Sequence, residues 1–155
     1  MNYAEISKHT ILCIYKAYES LNESPIDKGL RALIELRVSQ INGCFYCCNL
    51  HLIDARKNNV SQEKLDLLPI WFSSKEAFSE KEVIALRWCE AITRGSFEKV
   101  DEMKDELLQR FSEREIVDIT SCISIMNALN RIAITVNCNQ LLPPYCNKLL
   151  PPLTT

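Results

Sequence analysis

The chain has 155 residues, a length typical of one domain and sufficient to bury a hydrophobic core. Its 18 basic and 20 acidic side chains give a formal net charge of −2. The basic residues are dispersed along the sequence, so we expect neither nucleic acid nor an anionic membrane as a partner. The N-terminal residues lack a basic segment followed by an apolar one, and we therefore expect a cytoplasmic protein.

The first half of the sequence predicts helices only. The chain contains three glycines, and no segment alternates between apolar and polar residues as a half-buried strand does. We expect an all-α bundle of about six or seven helices with a long central one. Helices are predicted over 4–21, 27–41, 44–58 and 62–68, with breaks at 22–25, at Asn42-Gly43 and at Pro69.

Two later helices have clear start signals. The segments F-S-E-K-E-V at 78–83 and F-S-E-R-E-I at 111–116 each place serine at the N-cap and glutamate three residues later, which is the capping box. A phenylalanine before each serine and a β-branched residue after each box complete a hydrophobic staple. The first of these helices should end at Gly95, and a short helix over 101–110 should separate the two.

The last predicted helix is long and carries no charge between Asp118 and Arg131. Asn127 and Asn130 interrupt its apolar stretch, which favours a buried helix over a membrane span. The domain is expected to cover 1–140. The residues from 141 to 155 contain paired prolines and cannot form a regular helix, so we interpret them as a proline-rich C-terminal arm.

Cys44, Cys47 and His51 form the segment richest in reactive groups, C-F-Y-C-C-N-L-H at 44–51. In a cytosolic protein a C-x-x-C pair is typically redox-active or metal-binding. The break at Asn42-Gly43 places both cysteines in the first turn of a helix, where free N–H groups and the helix dipole favour a thiolate. His51 can accept the proton of Cys47, and Cys44 can then attack the oxidised Cys47 sulfur to close a disulfide.

A zinc site is the alternative interpretation of this segment. Cys44, Cys47 and His51 could serve as ligands, with Cys48 or His9 as the fourth, in a zinc-stabilised interaction module. Structural zinc sites usually combine two ligand pairs, and no second C-x-x-C or H-x-x-x-H pair occurs in the chain. Cys48 could also be an accessory thiol, although a packed cysteine is the more common role.

Five segments together resemble the AhpD-like alkylhydroperoxidases of the carboxymuconolactone decarboxylase superfamily. They are L-I-E-L-R at 33–37, S-Q-I-N-G-C-F-Y-C-C-N-L-H at 39–51, A-L-R-W-C-E-A-I-T at 85–93, F-S-E at 111–113 and N-R-I-A-I at 130–134. The resemblance covers roughly 30–136. It implies a helical fold and homo-oligomers, here a trimer or hexamer. It also implies peroxidase chemistry with Cys47 as the peroxidatic thiol, Cys44 as the resolving thiol and His51 as the proton partner.

The resemblance also implies a relay glutamate, but its usual position is occupied here by Ala32. Glu35, one turn closer to the cysteines, and Glu90 are the two candidates to replace it. Each also has an arginine within one helical turn, so each could belong to an ion-pair cluster instead.

The sequence as a whole therefore predicts an antioxidant enzyme that reduces organic hydroperoxides with no bound cofactor and no metal. An unidentified dithiol would reduce the resulting Cys44–Cys47 disulfide. The superfamily name suggests a lactone decarboxylase as a further alternative, but that branch does not depend on paired cysteines.

Overall fold

A computed structural model describes residues 3–98 and 100–136, and over these residues the predicted all-α class is confirmed. The proline-rich arm and the domain boundary predicted at 140 lie outside the described residues. The α-helices are α1 (Tyr3–Ile6), α2 (Lys8–Ser20), α3 (Lys28–Asn42), α4 (Phe45–Lys57), α5 (Gln62–Leu67), α6 (Glu80–Arg94), α7 (Val100–Leu108) and α8 (Glu113–Thr135). Short 3-10 segments cover Leu21–Glu23, Leu68–Ser73 and Lys75–Ala77.

The described part of the chain thus has eight α-helices, one more than the largest expected number. The helix predicted over 4–21 is divided at Ser7, whose backbone (φ −124°, ψ 50°) leaves the helical region. None of the described helices has an apolar stretch long enough to cross a lipid bilayer.

Helix α3 lies at the centre of the fold and packs on α4, α6 and α8. Eight consecutive residues, from Ala32 to Ser39, are buried, so the helix is enclosed on all sides rather than along the one apolar stripe of a surface helix. Three of the eight are polar or charged: Glu35, Arg37 and Ser39. Buried groups of this kind need partners, which α4, α6 and α8 provide.

Two apolar cores lie on either side of α3. The larger contains Ile34 and Val38 with residues of α6 and α8, including Trp88 and Met126. The smaller contains Leu33 and Leu36 with residues of α4, α5 and the 3-10 segment that follows. The smaller core fixes α3 and α4 relative to each other, and the larger core holds α3 against α6 and α8.

The two capping boxes are present as predicted. Ser79 pairs with Glu82 at the start of α6, and Ser112 pairs with Glu115 at the start of α8. Helix α6 ends at Gly95, which has φ +70°, the left-handed conformation that favours glycine. Helix α8 buries one face, with Ile119, Ile123 and Met126 among its buried residues, as its lack of charge predicts.

Candidate active site

The cysteine pair lies at the junction of α3 and α4. Gly43 ends α3 with φ +69°, and its backbone N–H donates to the Gln40 carbonyl. Cys44 is then the N-cap of α4, and its sulfur accepts from the backbone N–H of Cys47 at 3.4 Å. The sequence prediction that both cysteines belong to the first turn of a helix is confirmed in this geometry.

Cys44 and Cys47 are joined by a disulfide, with their Cα atoms 5.3 Å apart. The two residues differ in access: Cys44 is 0% exposed, whereas Cys47 is 6% exposed and borders a pocket. Cys44 does not border the pocket and belongs to an apolar cluster that includes Ala133, with Tyr46 packed against it. An incoming molecule therefore reaches the Cys47 sulfur first.

His51 follows Cys47 by one turn of α4 and borders the same pocket. Its Nδ1 lies 3.2 Å from Glu35 Oε2, an ion-pair distance without the alignment of a good hydrogen bond. Both side chains are buried, with 10% and 2% of their surfaces exposed. Glu35, on α3, is thus the acidic side chain that the fold places behind His51.

Glu35 is held in the charged form by its surroundings. Its Oε1 accepts a hydrogen bond from Arg31 Nε at 2.7 Å. Burial alone would raise the pKa of the Glu35 carboxyl, but the contacts with His51 and Arg31 outweigh burial and lower the pKa to about 2. A carboxylate of this kind orients an imidazole and stabilises its protonated form.

Two further side chains complete the surroundings of Glu35. The guanidinium of Arg31 lies over the ring of Tyr18, 4.8 Å from its centroid, in a cation–π contact. The Cys122 thiol of α8 donates to Glu35 Oε1 at 3.6 Å. Burial and the nearby Glu35 charge raise the pKa of Cys122 well above the usual thiol value, so this sulfur stays protonated and unreactive.

The pocket beside Cys47 and His51 has a volume of about 60 Å³. Helices α1, α2, α4 and α8 contribute its walls, and four of the lining side chains are tyrosines. These are Tyr3, Tyr15, Tyr18 and Tyr46. Small-molecule sites are typically concave and mostly apolar with a few polar groups, and this pocket fits that description.

Glu90, the second candidate acid, lies elsewhere. Its carboxylate accepts from Arg37 Nη2 at 2.5 Å and from Trp71 Nε1 at 2.8 Å, and it is 3.5 Å from Arg94. Burial would raise the pKa of Glu90, but its bonds to Trp71 and Arg37 lower it. These contacts tie α3 and α6 to the Leu68–Ser73 segment, so Glu90 is occupied by a structural ion-pair cluster.

Cys48, unlike its neighbour Cys47, does not line the pocket. It is half-buried and packs against the smaller core on α3. Burial raises the pKa of its thiol. Both observations agree with a packed neighbour rather than an accessory nucleophile. Cys89 and Cys122 are buried free thiols. Cys13 is exposed, although a cysteine in an apolar helical stretch is usually buried.

Within the described residues, Glu35, His51 and Asp54 form a group whose potential ligand atoms lie within 4.8 Å of one another. Arg31, bonded to Glu35 at 2.7 Å, places a positive charge where a cation would bind. The sulfurs that a zinc site would use are bonded to each other. The side chains therefore suit proton transfer better than metal binding.

Several residues that shape the site have weak sequence signals. The tyrosines of the pocket come from three different helices, and only Tyr15 and Tyr18 share a helix face. Asn127 and Asn130 lie one turn apart in an otherwise apolar helix, and both accept from Asn42 Nδ2, at 2.9 and 3.2 Å. This polar cluster joins α8 to the end of α3, just before the cysteines, and its only signal is asparagine in an apolar stretch.

The fold and site define an all-helical protein with a C-x-x-C pair at a helix start and a histidine one turn later. Residues 12–91 match the sequence profile of the carboxymuconolactone decarboxylase family. The chain belongs to this family.

Relatives with similar sequences include the uncharacterized protein YdfG of Bacillus subtilis (strain 168). It is 31% identical over 137 residues, which cover 88% of this chain and 92% of YdfG. The uncharacterized protein YnjA of Escherichia coli (strain K12) is 23% identical over 117 residues, which cover 76% of this chain and 64% of YnjA.

Two solved structures have the same fold. The first is a protein of unknown function from Agrobacterium tumefaciens, described as a candidate antioxidant defence protein AhpD. It has a TM-score of 0.82 and 30% identity, over 88% of this chain and 94% of that one. The second is an uncharacterized peroxidase-related protein from Silicibacter sp. TM1040. It has a TM-score of 0.72 and 26% identity, over 81% of this chain and 66% of that one. The resemblance to AhpD-like proteins inferred from the sequence is thereby confirmed.

Proposed function

We propose that the protein is a thiol-dependent peroxidase that reduces organic hydroperoxides through a Cys44–Cys47 dithiol/disulfide cycle. The observation that carries the proposal is the pocket in which the accessible cysteine and His51 meet, with the second sulfur bonded behind the first. The likeness to an AhpD-type antioxidant defence protein and to a peroxidase-related protein supports the same chemistry.

The cycle starts from the reduced pair. The Cys47 thiolate attacks the distal oxygen of the hydroperoxide, the O–O bond breaks, and the leaving alkoxide takes a proton from the His51 imidazolium. Cys47 is then a sulfenic acid. The Cys44 thiolate attacks the Cys47 sulfur, which forms the disulfide and releases the hydroxyl as water after protonation.

Glu35 has a positioning role in this proposal. Its carboxylate lies 3.2 Å from His51 Nδ1 and stabilises the imidazolium that forms when His51 takes the Cys47 proton. An external dithiol then reduces the disulfide, giving up two electrons and two protons. We place this activity in antioxidant defence in the cytoplasm.

A homo-oligomer, a trimer or hexamer, is part of the same proposal. Large apolar side chains are exposed on the described surface, among them Phe45 (69%) and Ile53 (47%) on α4 and Phe72 (57%) beyond α5. A trimer or hexamer would bury part of this apolar surface. Light scattering coupled to gel filtration measures the mass directly.

The decisive experiment is a thiol count on four proteins: the reduced wild type, Cys47→Ser, Cys44→Ser and Cys48→Ser. After one equivalent of tert-butyl hydroperoxide the wild type should lose two thiols, mapped to Cys44 and Cys47. Cys44→Ser should accumulate a sulfenic acid at Cys47 that a dimedone probe traps, and Cys47→Ser should not react. Cys48→Ser is the matched control and should behave as the wild type. Full peroxide turnover by Cys47→Ser would contradict the proposal.

A further inference from the structure

The described part of the chain ends beside the pocket. Helix α8 ends at Thr135, and Val136 packs against the apolar cluster of Cys44, Cys47 and Ala133. Cys47 and Ala133 also line the pocket. The residues that follow Val136 in the sequence therefore start at the edge of the pocket, close to the Cys47 sulfur.

The sequence that starts there is uncharged and rich in leucine and proline. It reads N-C-N-Q-L-L-P-P-Y-C-N at 137–147, and the first charged side chain after Val136 is Lys148. Asparagine is common in turns, so N-C-N-Q at 137–140 can reverse the direction of the chain after α8. The paired prolines of L-L-P-P at 141–144 favour the extended polyproline II conformation.

The wall of the pocket is suited to such a segment. Four of its side chains are tyrosines, and proline-rich segments in the polyproline II conformation typically bind in grooves lined by aromatic side chains. No carboxylate, lysine or arginine is present among the described residues that line the pocket, so the lining matches an uncharged segment. The pocket is also partly open, so a segment can enter it from the edge.

The lengths of the segment and the pocket agree. Met126 and Ala133 are the first and last residues that α8 contributes to the lining, and they lie about 10 Å apart along the helix axis. In polyproline II the residues 141–144 span about 9 Å. The residues 137–140 extend over at most about 14 Å, which is sufficient to turn the chain back along α8.

We propose that L-L-P-P at 141–144 docks in the tyrosine-lined pocket of its own chain and covers the Cys47 sulfur. The docked segment is an autoinhibitory contact, because an oxidant or a reducing thiol reaches Cys47 only when the segment has left the pocket. The inference goes beyond the proposed peroxidase function and does not depend on it, since access to Cys47 can be measured without a peroxide.

The first experiment measures the rate at which iodoacetamide alkylates Cys47 in the reduced, full-length protein. Peptide mass spectrometry distinguishes Cys47 from the other cysteines, and the exposed Cys13 on α2 serves as the internal reference. The double variant Leu141→Ser/Leu142→Ser removes the apolar side chains of the segment without adding a charge. It should raise the ratio of Cys47 to Cys13 alkylation by at least about tenfold.

The chain offers a matched control for this variant. The same four residues, L-L-P-P, recur at 149–152. Leu149→Ser/Leu150→Ser makes the same chemical change in this second copy, which is farther from the end of α8. It should leave the ratio of Cys47 to Cys13 alkylation as in the wild type.

The second experiment locates the segment in protein that keeps all of its leucines. The photocrosslinker p-benzoylphenylalanine replaces Tyr145, the residue directly after the prolines. On illumination we expect crosslinks to residues of α8 that line the pocket, Met126 and Leu129 among them. The mass of the denatured product shows whether a crosslink joins residues of one chain or of two chains.

The results to be expected and those that would overturn the proposal are distinct. A ratio that rises only in Leu141→Ser/Leu142→Ser, with crosslinks to the pocket within one chain, would support it. Equal ratios in all three proteins, or an equal rise in the control variant, would overturn it. Crosslinks between two chains, or only to residues outside the pocket, would overturn it as well. Failure of the peroxidase proposal in the thiol count would leave this inference standing, because neither measurement uses a peroxide.

Discussion

Replacing Glu35 with glutamine keeps the shape of the side chain and removes the charge that faces both His51 and Arg31. Nδ1 of His51 is 3.2 Å from the carboxylate, so the variant loses the negative charge that faces the imidazole. The imidazolium would be less stable, so the Cys47 thiolate would form only at higher pH. We expect the acidic limb of the pH–rate profile to move to higher pH, with a loss of about 10- to 100-fold in rate at pH 7.

Stability should change as well. Arg31 has 12% of its side chain exposed and would lose its charged partner at 2.7 Å. Breaking a buried pair from one side typically costs about 3 kcal/mol or more, and the hydrogen bond from Arg31 to Asn22 Oδ1 together with the Tyr18 ring should keep the cost near that lower value. The assay combines single-turnover oxidation by tert-butyl hydroperoxide between about pH 5 and pH 9 with urea unfolding at neutral pH.

Glu90→Gln is the matched control for this experiment. It removes the same charge from a carboxylate that bonds Arg37 and Trp71 rather than His51. It should lower stability and leave the pH–rate profile in place. If the two variants lose activity equally, or if the acidic limb of Glu35→Gln stays where the wild type has it, the role assigned to Glu35 is wrong.

Two other changes test the geometry and the electrostatics separately. Gly43→Ala and Gly95→Ala each force a left-handed backbone (φ +69° and +70°) on alanine with open space around the new Cβ. Each should lower the free energy of unfolding by about 1–2 kcal/mol. Only Gly43→Ala, which directly precedes Cys44, should slow peroxide reduction. Equal rates of peroxide reduction for the two variants would contradict the role given to the α3–α4 junction. The pKa of Glu35 is about 2 in the folded protein, against an ordinary value of 4.5. Ionised Glu35 therefore adds about 3 kcal/mol to the free energy of unfolding above pH 4.5, and this contribution is lost as the pH falls toward 2. Urea midpoints of the oxidised protein should therefore fall over that range and fall less in Glu35→Gln; parallel curves would exclude the depressed pKa.

The parts of the molecule that could be predicted from the sequence depend on neighbours along the chain. The capping boxes at Ser79 and Ser112 and the stop at Gly95 involve residues within one turn, and the structure confirms them. The placement of Cys44 and Cys47 in the first turn of a helix follows from the Asn42-Gly43 break in the same way.

The choice between Glu35 and Glu90 could not be made in this way. Both have an arginine one turn away, so their local patterns are alike, and only the packing of α3 on α4 brings Glu35 to His51. The pocket poses the same difficulty, because Tyr3, Tyr18 and Tyr46 come from three helices whose relative positions are set by the cores. The division of the first helix at Ser7 has no clear breaker in the sequence.

The unequal burial of the two sulfurs has a kinetic consequence. Cys44 is fully enclosed, so a reducing thiol, like a hydroperoxide, can reach the disulfide only at Cys47. In the proposed cycle both half-reactions would then pass through one entrance, and the mixed disulfide with the reductant would form on Cys47 with Cys44 as the leaving thiolate. Oxidant and reductant would therefore compete for the same opening. We expect ping-pong kinetics in which an excess of either substrate slows the half-reaction of the other.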